Sequence, residues 1–178
     1  MSSIIIDIVN RFYYRRRVQM KKLLFSLFAV CMCLFCGTFT ANASFPTHLN
    51  GDSNFILITS VPQSGTAFYA DRSSLVVEKY EPPQYIIDIN VCTVPKADRG
   101  YTDITKVTTY RYFYNWNLKE MYLDKDGNSN WQYIAPDSPR AYSMVSKPSG
   151  EMAFYLAYGM KFYGSSAGYH SDFYKRAK

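Results

Sequence analysis

The sequence is poor in the residues that do chemistry. It holds two histidines, His48 and His170, and four cysteines in 178 residues. Three of those cysteines, Cys31, Cys33 and Cys36, lie in one apolar stretch, so Cys92 stands alone beyond it. One cysteine allows no internal disulfide, and no group of His, Cys, Asp or Glu has zinc-like spacing. No G-x-S-x-G elbow is present to present a serine nucleophile. There is no internal repeat, no low-complexity tract and no second long hydrophobic run. These absences weigh against covalent, metal and redox chemistry, and the expected cofactor complement is none.

The apolar stretch has the layout of a secretory signal peptide over residues 20–43. Lys21 and Lys22 form a basic start, Leu23 to Cys36 an apolar middle, and Ala41-Asn42-Ala43 a small-x-small cleavage site. An uncleaved anchor is the second reading, but Leu23 to Phe35 is 13 residues, and a membrane span needs about 20. A lipoprotein is the third. It wants a small residue before its cysteine, whereas Cys31 follows Val30, Cys33 follows Met32 and Cys36 follows Phe35. Residues 1–19 precede this leader as an upstream extension, with Met1 and Met20 both available as starts. The reading places the remaining chain outside the cytoplasm, in the periplasm, on the cell surface or in the medium, with no membrane span after cleavage.

Removing residues 1–43 changes the composition. That segment carries six Lys/Arg and one Asp, and Ser44 to Lys178 carries 14 Lys/Arg and 13 Asp/Glu. Of the overall charge of +6, five units therefore belong to residues 1–43. A net +1 gives little attraction to phosphate, so nucleic acid is not an expected partner. The 135 residues that remain are one domain's length, enough to bury roughly two-thirds of the unfolded chain's surface.

Within that domain the signals are mainly β. Ser44 to Ser53 reads as a flexible lead-in. Asn54 to Val61 is a β-branched run stopped by Pro62, and Pro62-Gln63-Ser64-Gly65 supplies a turn. Thr66 to Ala70 and Ser74 to Lys79 read as two short strands, and Pro82-Pro83 breaks the chain. Tyr85 to Thr93 alternates cleanly, with Tyr85, Ile87, Ile89 and Val91 on one face and Ile86, Asp88, Asn90 and Cys92 on the other. The packing habits of free cysteine favour a buried, inert Cys92 over one pairing between molecules, although alternation puts it on the more polar face. Thr102 to Trp116 is the longest β-prone run. Leu118 to Leu123 and Ser129 to Ile134 flank Asp124-Lys125-Asp126-Gly127-Asn128, the mark of a tight hairpin.

The period then changes. Ser138 can cap a helix with Pro139 at its first position, giving Arg140 to Ser146. Pro148 interrupts, and Ser149 can cap a second helix over Gly150 to Tyr163, with Gly164 as its stop. Residues 165–178 form a polar tail. The expected fold is α+β: an antiparallel sheet of about six strands with a C-terminal helix packed on one face, in a single domain over residues 54–164.

Three constellations invite chemistry. The Asp124–Gly127 turn has the look of a calcium loop, but such a loop would begin at Tyr122 and end at Tyr133, where oxygen ligands are required. The carboxylates Asp71, Glu78, Glu81, Asp88 and Asp103 read as solvated charges unless the fold gathers them, which would open a hydrolase reading. The aromatic content is the outlier: beyond residue 43 there are 15 Tyr, seven Phe and two Trp. Tyr110, Tyr112 and Tyr114 share one sheet face. That face is either core beneath the helix or an exposed recognition platform extended by Arg111, Trp116 and Trp131.

Taken in order, the leader, F-Y-A-D-R-S-S (Phe68 to Ser74), the strand Tyr85 to Thr93, M-Y-L-D-K-D-G-N (Met121 to Asn128), Trp131 and Pro136-Asp137-Ser138-Pro139 resemble the surface-adhesin protein E-like family of small exported bacterial domains. The resemblance covers about residues 54–147. It implies a six-stranded antiparallel sheet with a C-terminal helix, surface or periplasmic placement, and adhesion to host extracellular matrix in the member that names the family. Such domains often carry a cysteine pair from sheet to C-terminal segment. This chain has Cys92 alone, and its segment after Pro148 is longer. The functional expectation is a non-enzymatic domain binding protein or glycan ligands, with a carboxylate hydrolase and a structural or inhibitory envelope protein as alternatives. N-terminal sequencing of the natural product should return Ser44; a product retaining residues 20–43 in the inner membrane would contradict the leader.

Overall fold

A computed structural model describes residues 44–178. The segments read from sequence as an upstream extension (1–19) and a leader (20–43) lie outside the described residues. Six strands pair in chain order as one antiparallel meander: β1 Phe55–Val61, β2 Thr66–Glu81, β3 Gln84–Val94, β4 Lys106–Asn115, β5 Glu120–Asp124 and β6 Trp131–Ile134. Three helices follow: α1 Arg140–Ser143, α2 Ser146–Tyr158 and α3 Ser171–Lys175. The fold is α+β, as the sequence pattern implies. Among the described residues, no helix is long and apolar enough to cross a membrane.

The expected strands over Thr66–Ala70 and Ser74–Lys79 are one strand. Between Asp71 and Val76 the register against β3 slips by several residues. Asp71 fastens the bulge by accepting the Ser73 amide (3.0 Å) and hydroxyl (2.6 Å), and the Ser74 hydroxyl takes the Asn90 amide (2.8 Å). The polar run reads as a break, but its side chains replace the lost ladder bonds.

Alternation on β3 sends Tyr85, Ile87, Ile89 and Val91 into the main core. There they meet Tyr112 and Tyr114 of β4 and Met152, Ala153 and Phe154 of α2. The opposite face at the β1–β3 end carries a second core of Leu49, Leu57, Ala67, Tyr69, Cys92, Val94 and Ala97, with Phe45 and Phe55 against it. The lead-in, expected to be flexible, builds this layer. Tyr69 donates to Pro46 O (3.1 Å), and the Leu57 amide donates to Thr47 O (2.9 Å). Cys92 is therefore buried although it lies on the more polar face of its strand, and burial pushes its thiol up.

The helical boundaries differ from expectation for a local reason. Pro148 does not interrupt; it sits in the first turn of α2, where amides have no intrahelical acceptor and a missing N–H costs nothing. Ser149 is inside the helix, not its cap. α2 ends at Gly159, whose φ of 68° closes the C-terminus through its amide to Tyr155 O. Phe162 and Tyr163 are buried from a loop and not from the helix.

Residues 165–178 are likewise not a loose tail. Phe173 and Tyr174 of α3 are buried in the main core. Arg176 donates to Leu57 O (3.0 Å), Arg72 donates to Ala177 O, and His48 Nε2 donates to Arg176 O (2.9 Å). The two ends of the domain thus meet over β1 and cover its open edge.

Candidate functional site

Strand β4 decides which side chains are available for function. Its two-residue period sends Tyr110, Tyr112 and Tyr114 toward α2, and Arg111 and Phe113 to the other, outer face. Tyr112 and Tyr114 are 0% exposed. The Tyr112 hydroxyl donates to Ser146 O (2.8 Å) and lies 2.5 Å from Ser149 Oγ. The Tyr114 hydroxyl donates to Gly150 O (2.8 Å). Burial pushes both phenols well above the ordinary range. Tyr110 is half-buried and stacks on Tyr112. Trp116 lies on the same side, stacked on Phe154 at 5.5 Å beneath the Lys119 ammonium. Of the two readings of the Tyr110, Tyr112 and Tyr114 face, core and exposed platform, the structure gives core, because the Tyr112 and Tyr114 hydroxyls find acceptors in the first turns of α2.

Of the six candidate residues, Arg111 and Trp131 do come together, on the outer face. The guanidinium carbon lies 4.9 Å from the Trp131 ring centre, within cation–π range. Arg111 Nε and Nη2 both reach Glu78 Oε2 at 2.8 Å, Nη1 donates to Asp124 Oδ2 at 3.0 Å, and Asp88 Oδ1 is 3.9 Å from Nε. Asp124 also accepts the amides of Ser129 (2.9 Å) and Asp126 (3.3 Å). This side chain organises the hairpin. The loop is six residues long, with Gly127 and Ser129 at positive φ, and is not the tight turn expected.

Strand register arranges the outer face as two parallel rows. One row runs Asp88, Arg111, Asp124, Trp131 across β3 to β6. The next runs Ile86, Phe113, Tyr122, Tyr133 across the same strands. Phe113 lies 5.8 Å from both Tyr122 and Trp131, and Tyr122 lies 5.3 Å from Tyr133. Tyr133 is 48% exposed. A hollow of about 310 Å³ lined by Lys125, Asp126, Asn130, Trp131 and Gln132 adjoins the rows. Phe113, Tyr122 and Tyr133 were not candidates from sequence; Glu78 was read there as a solvated carboxylate and Asp124 as part of a turn. The signal for the first three was the odd–even parity of β4 and its continuation through the hairpin.

Three carboxylates surround one cation, so the charges are unequal. Its bond to Arg111 holds Glu78 below the ordinary glutamate range. Burial opposes charge on Asp124, but the Ser129 amide and Arg111 outweigh it and hold that group low. Burial and the adjoining Glu78 push Asp88 up to about 6. Two of the five carboxylates considered from sequence, Glu78 and Asp88, are thereby neighbours. Among the described residues, no cluster of His, Cys, Asp or Glu is arranged to hold a metal ion. The fold and outer face define a small sheet-and-helix domain with an aromatic and charged surface. Comparison with family models, characterised proteins and solved structures gives no match.

The raised pKa of Asp88 has a stability consequence. Between about pH 4 and 6 the folded state binds more protons at Asp88 than the unfolded state, so this group's contribution falls as pH rises. Asp88→Asn removes the penalty of holding a charge there. The variant should melt higher than the parent at pH 7–8, with the gain vanishing below about pH 4. An equal loss of melting temperature at both pH values would contradict a raised Asp88.

Proposed function

We propose that this protein is a non-enzymatic binding domain, exported to the periplasm, cell surface or medium, that recognises a protein or glycan through the outer face of β3–β6. The observation that carries the reading is the pair of rows across those strands. The aromatic row offers large, rigid area with little side-chain entropy to lose. The charged row beside it offers a guanidinium held in place by carboxylates. Aromatics with a fixed arginine are the residue types that dominate protein contact energies. They also match a sugar, whose C–H faces stack on rings and whose hydroxyls donate to carboxylates.

The carboxylate-hydrolase alternative has one observation in its favour, the nearness of Glu78 to Asp88, whose carboxyl is pushed up to about 6. Glu78 is already paired to Arg111, and both groups stand on a strand surface. That arrangement serves a fixed electrostatic row better than an acid–base pair.

An immobilised panel of extracellular-matrix proteins and glycans tests the proposal. A specific ligand should lose about tenfold or more in affinity in Trp131→Ala or Tyr133→Ala, with thermal unfolding little changed for the exposed Tyr133. Tyr110→Ala should leave binding intact. No ligand above control, or binding unaffected by both outer-face variants, would contradict it.

A further inference from the structure

A second concavity, sharing no residue with the two rows, opens between β1, α1, the start of α2 and the turn at residues 164–169. Its volume is about 260 Å³. Ile58, Met144, Pro148 and Ala167 supply apolar wall, and Arg140, Lys147 and Tyr169 bring polar hydrogens to it. Two cations line this cavity and no carboxylate does. The nearest acidic groups are otherwise placed. Asp137 attracts Lys147 from outside the lining, and Glu151, one turn along α2 from Lys147, turns inward to the amides of Phe162, Tyr163 and Gly164.

The donors are held by the fold but not used up by it. Lys147 Nζ donates to Pro136 O (3.0 Å) and Ser138 O (2.9 Å), which fixes the ammonium and leaves one N–H. Arg140 gives one Nη2 hydrogen to Ser60 O (2.8 Å), leaving Nε and Nη1 for another acceptor. The Tyr169 ring packs on Phe173 at 4.5 Å, and its hydroxyl has no partner among the described residues. Burial pulls Lys147 down from the ordinary lysine range and pushes Tyr169 up, so Tyr169 stays a neutral donor. A lining with two cations and no carboxylate selects an anion, and an apolar wall selects a body attached to it.

We propose that this cleft binds a small amphipathic monocarboxylate, with its carboxylate between Arg140 and Lys147 and its apolar body against Ile58, Met144 and Ala167. With water occupying about 30 Å³ per molecule, the cavity takes a ligand of about ten non-hydrogen atoms. Arylacetates and short-chain fatty acids have that size and polarity.

Phenylacetate is the probe, titrated into the protein and followed by NMR shifts, with phenylacetamide and acetate as controls. The amide lacks the charge and acetate lacks the body. Phenylacetate should give saturable shifts centred on Ile58, Met144 and Ala167. Both controls should bind at least about tenfold more weakly. The exposed Arg140→Gln should weaken phenylacetate about tenfold and leave phenylacetamide unchanged. Tyr169→Phe, which keeps the ring packing, should weaken it by a smaller factor. Equal affinity for phenylacetate and phenylacetamide, or no saturable shift up to about 10 mM, would overturn the proposal. So would shifts centred elsewhere, or full affinity in Arg140→Gln.

Discussion

The Glu151 carboxylate is the constraint on which the helical layer depends. It is 0% exposed, on the second turn of α2. It accepts the amides of Phe162 (2.9 Å), Tyr163 (2.8 Å) and Gly164 (3.2 Å) and the hydroxyl of Tyr174 (2.5 Å). Hydrogen bonds to a charged acceptor contribute about 1.5–3 kcal/mol each, and a buried carboxylate without them would be strongly destabilising. One side chain therefore draws the loop after α2 and the final helix onto the same spot. Once there, Phe162, Tyr163, Phe173 and Tyr174 complete the main core, and the C-terminal residues reach His48 and Arg72.

That closure determines how the tyrosines are used. With α2 held against β4, the Tyr112 and Tyr114 hydroxyls are absorbed by Ser146, Ser149 and Gly150. The approach is close enough to require glycine at 150, since a Cβ there would lie 2.5 Å from Met121 Sδ and 2.9 Å from Tyr112 Cε1. The Tyr163 hydroxyl takes the Met121 amide (3.0 Å) and donates to Ile134 O (2.5 Å), joining β5 to β6 through a side chain. The helix-facing side of the sheet is thus committed to structure. The lead-in covers the other side at the β1–β3 end. The outer face toward β6, where the two rows lie, is left uncovered by either layer.

Much of the architecture was legible because it rests on local periodicity. The β3 alternation, the hairpin around Asp124–Asn128 and the change of period after Pro136 each depend on neighbours in sequence. The parts that were not legible depend on partners far along the chain. Nothing near Glu151 announces that its acceptors will be filled by residues 11 to 23 positions later. Nothing in Phe173-Tyr174, set among charged and polar residues, marks it as core. Arg72-Ser73-Ser74 looks like a break because ladder bonds replaced by side chains leave no hydrophobic trace. At the candidate site, Arg111 and Trp131 were readable as outliers. The pairing of Glu78 with Arg111 was not, since Glu78 reaches it from β2 across an intervening strand.

The tyrosine-rich face is structural, and the outer face free, only if Glu151 holds the helical layer closed. Amide hydrogen exchange, residue by residue, tests this most directly. The account predicts that the amides of Phe162, Tyr163 and Gly164, although they lie in a loop and its turn, exchange as slowly as the central strands β3 and β4, through global unfolding alone. Exchange of those three amides at the rate of the exposed Lys125–Asn130 loop would contradict it.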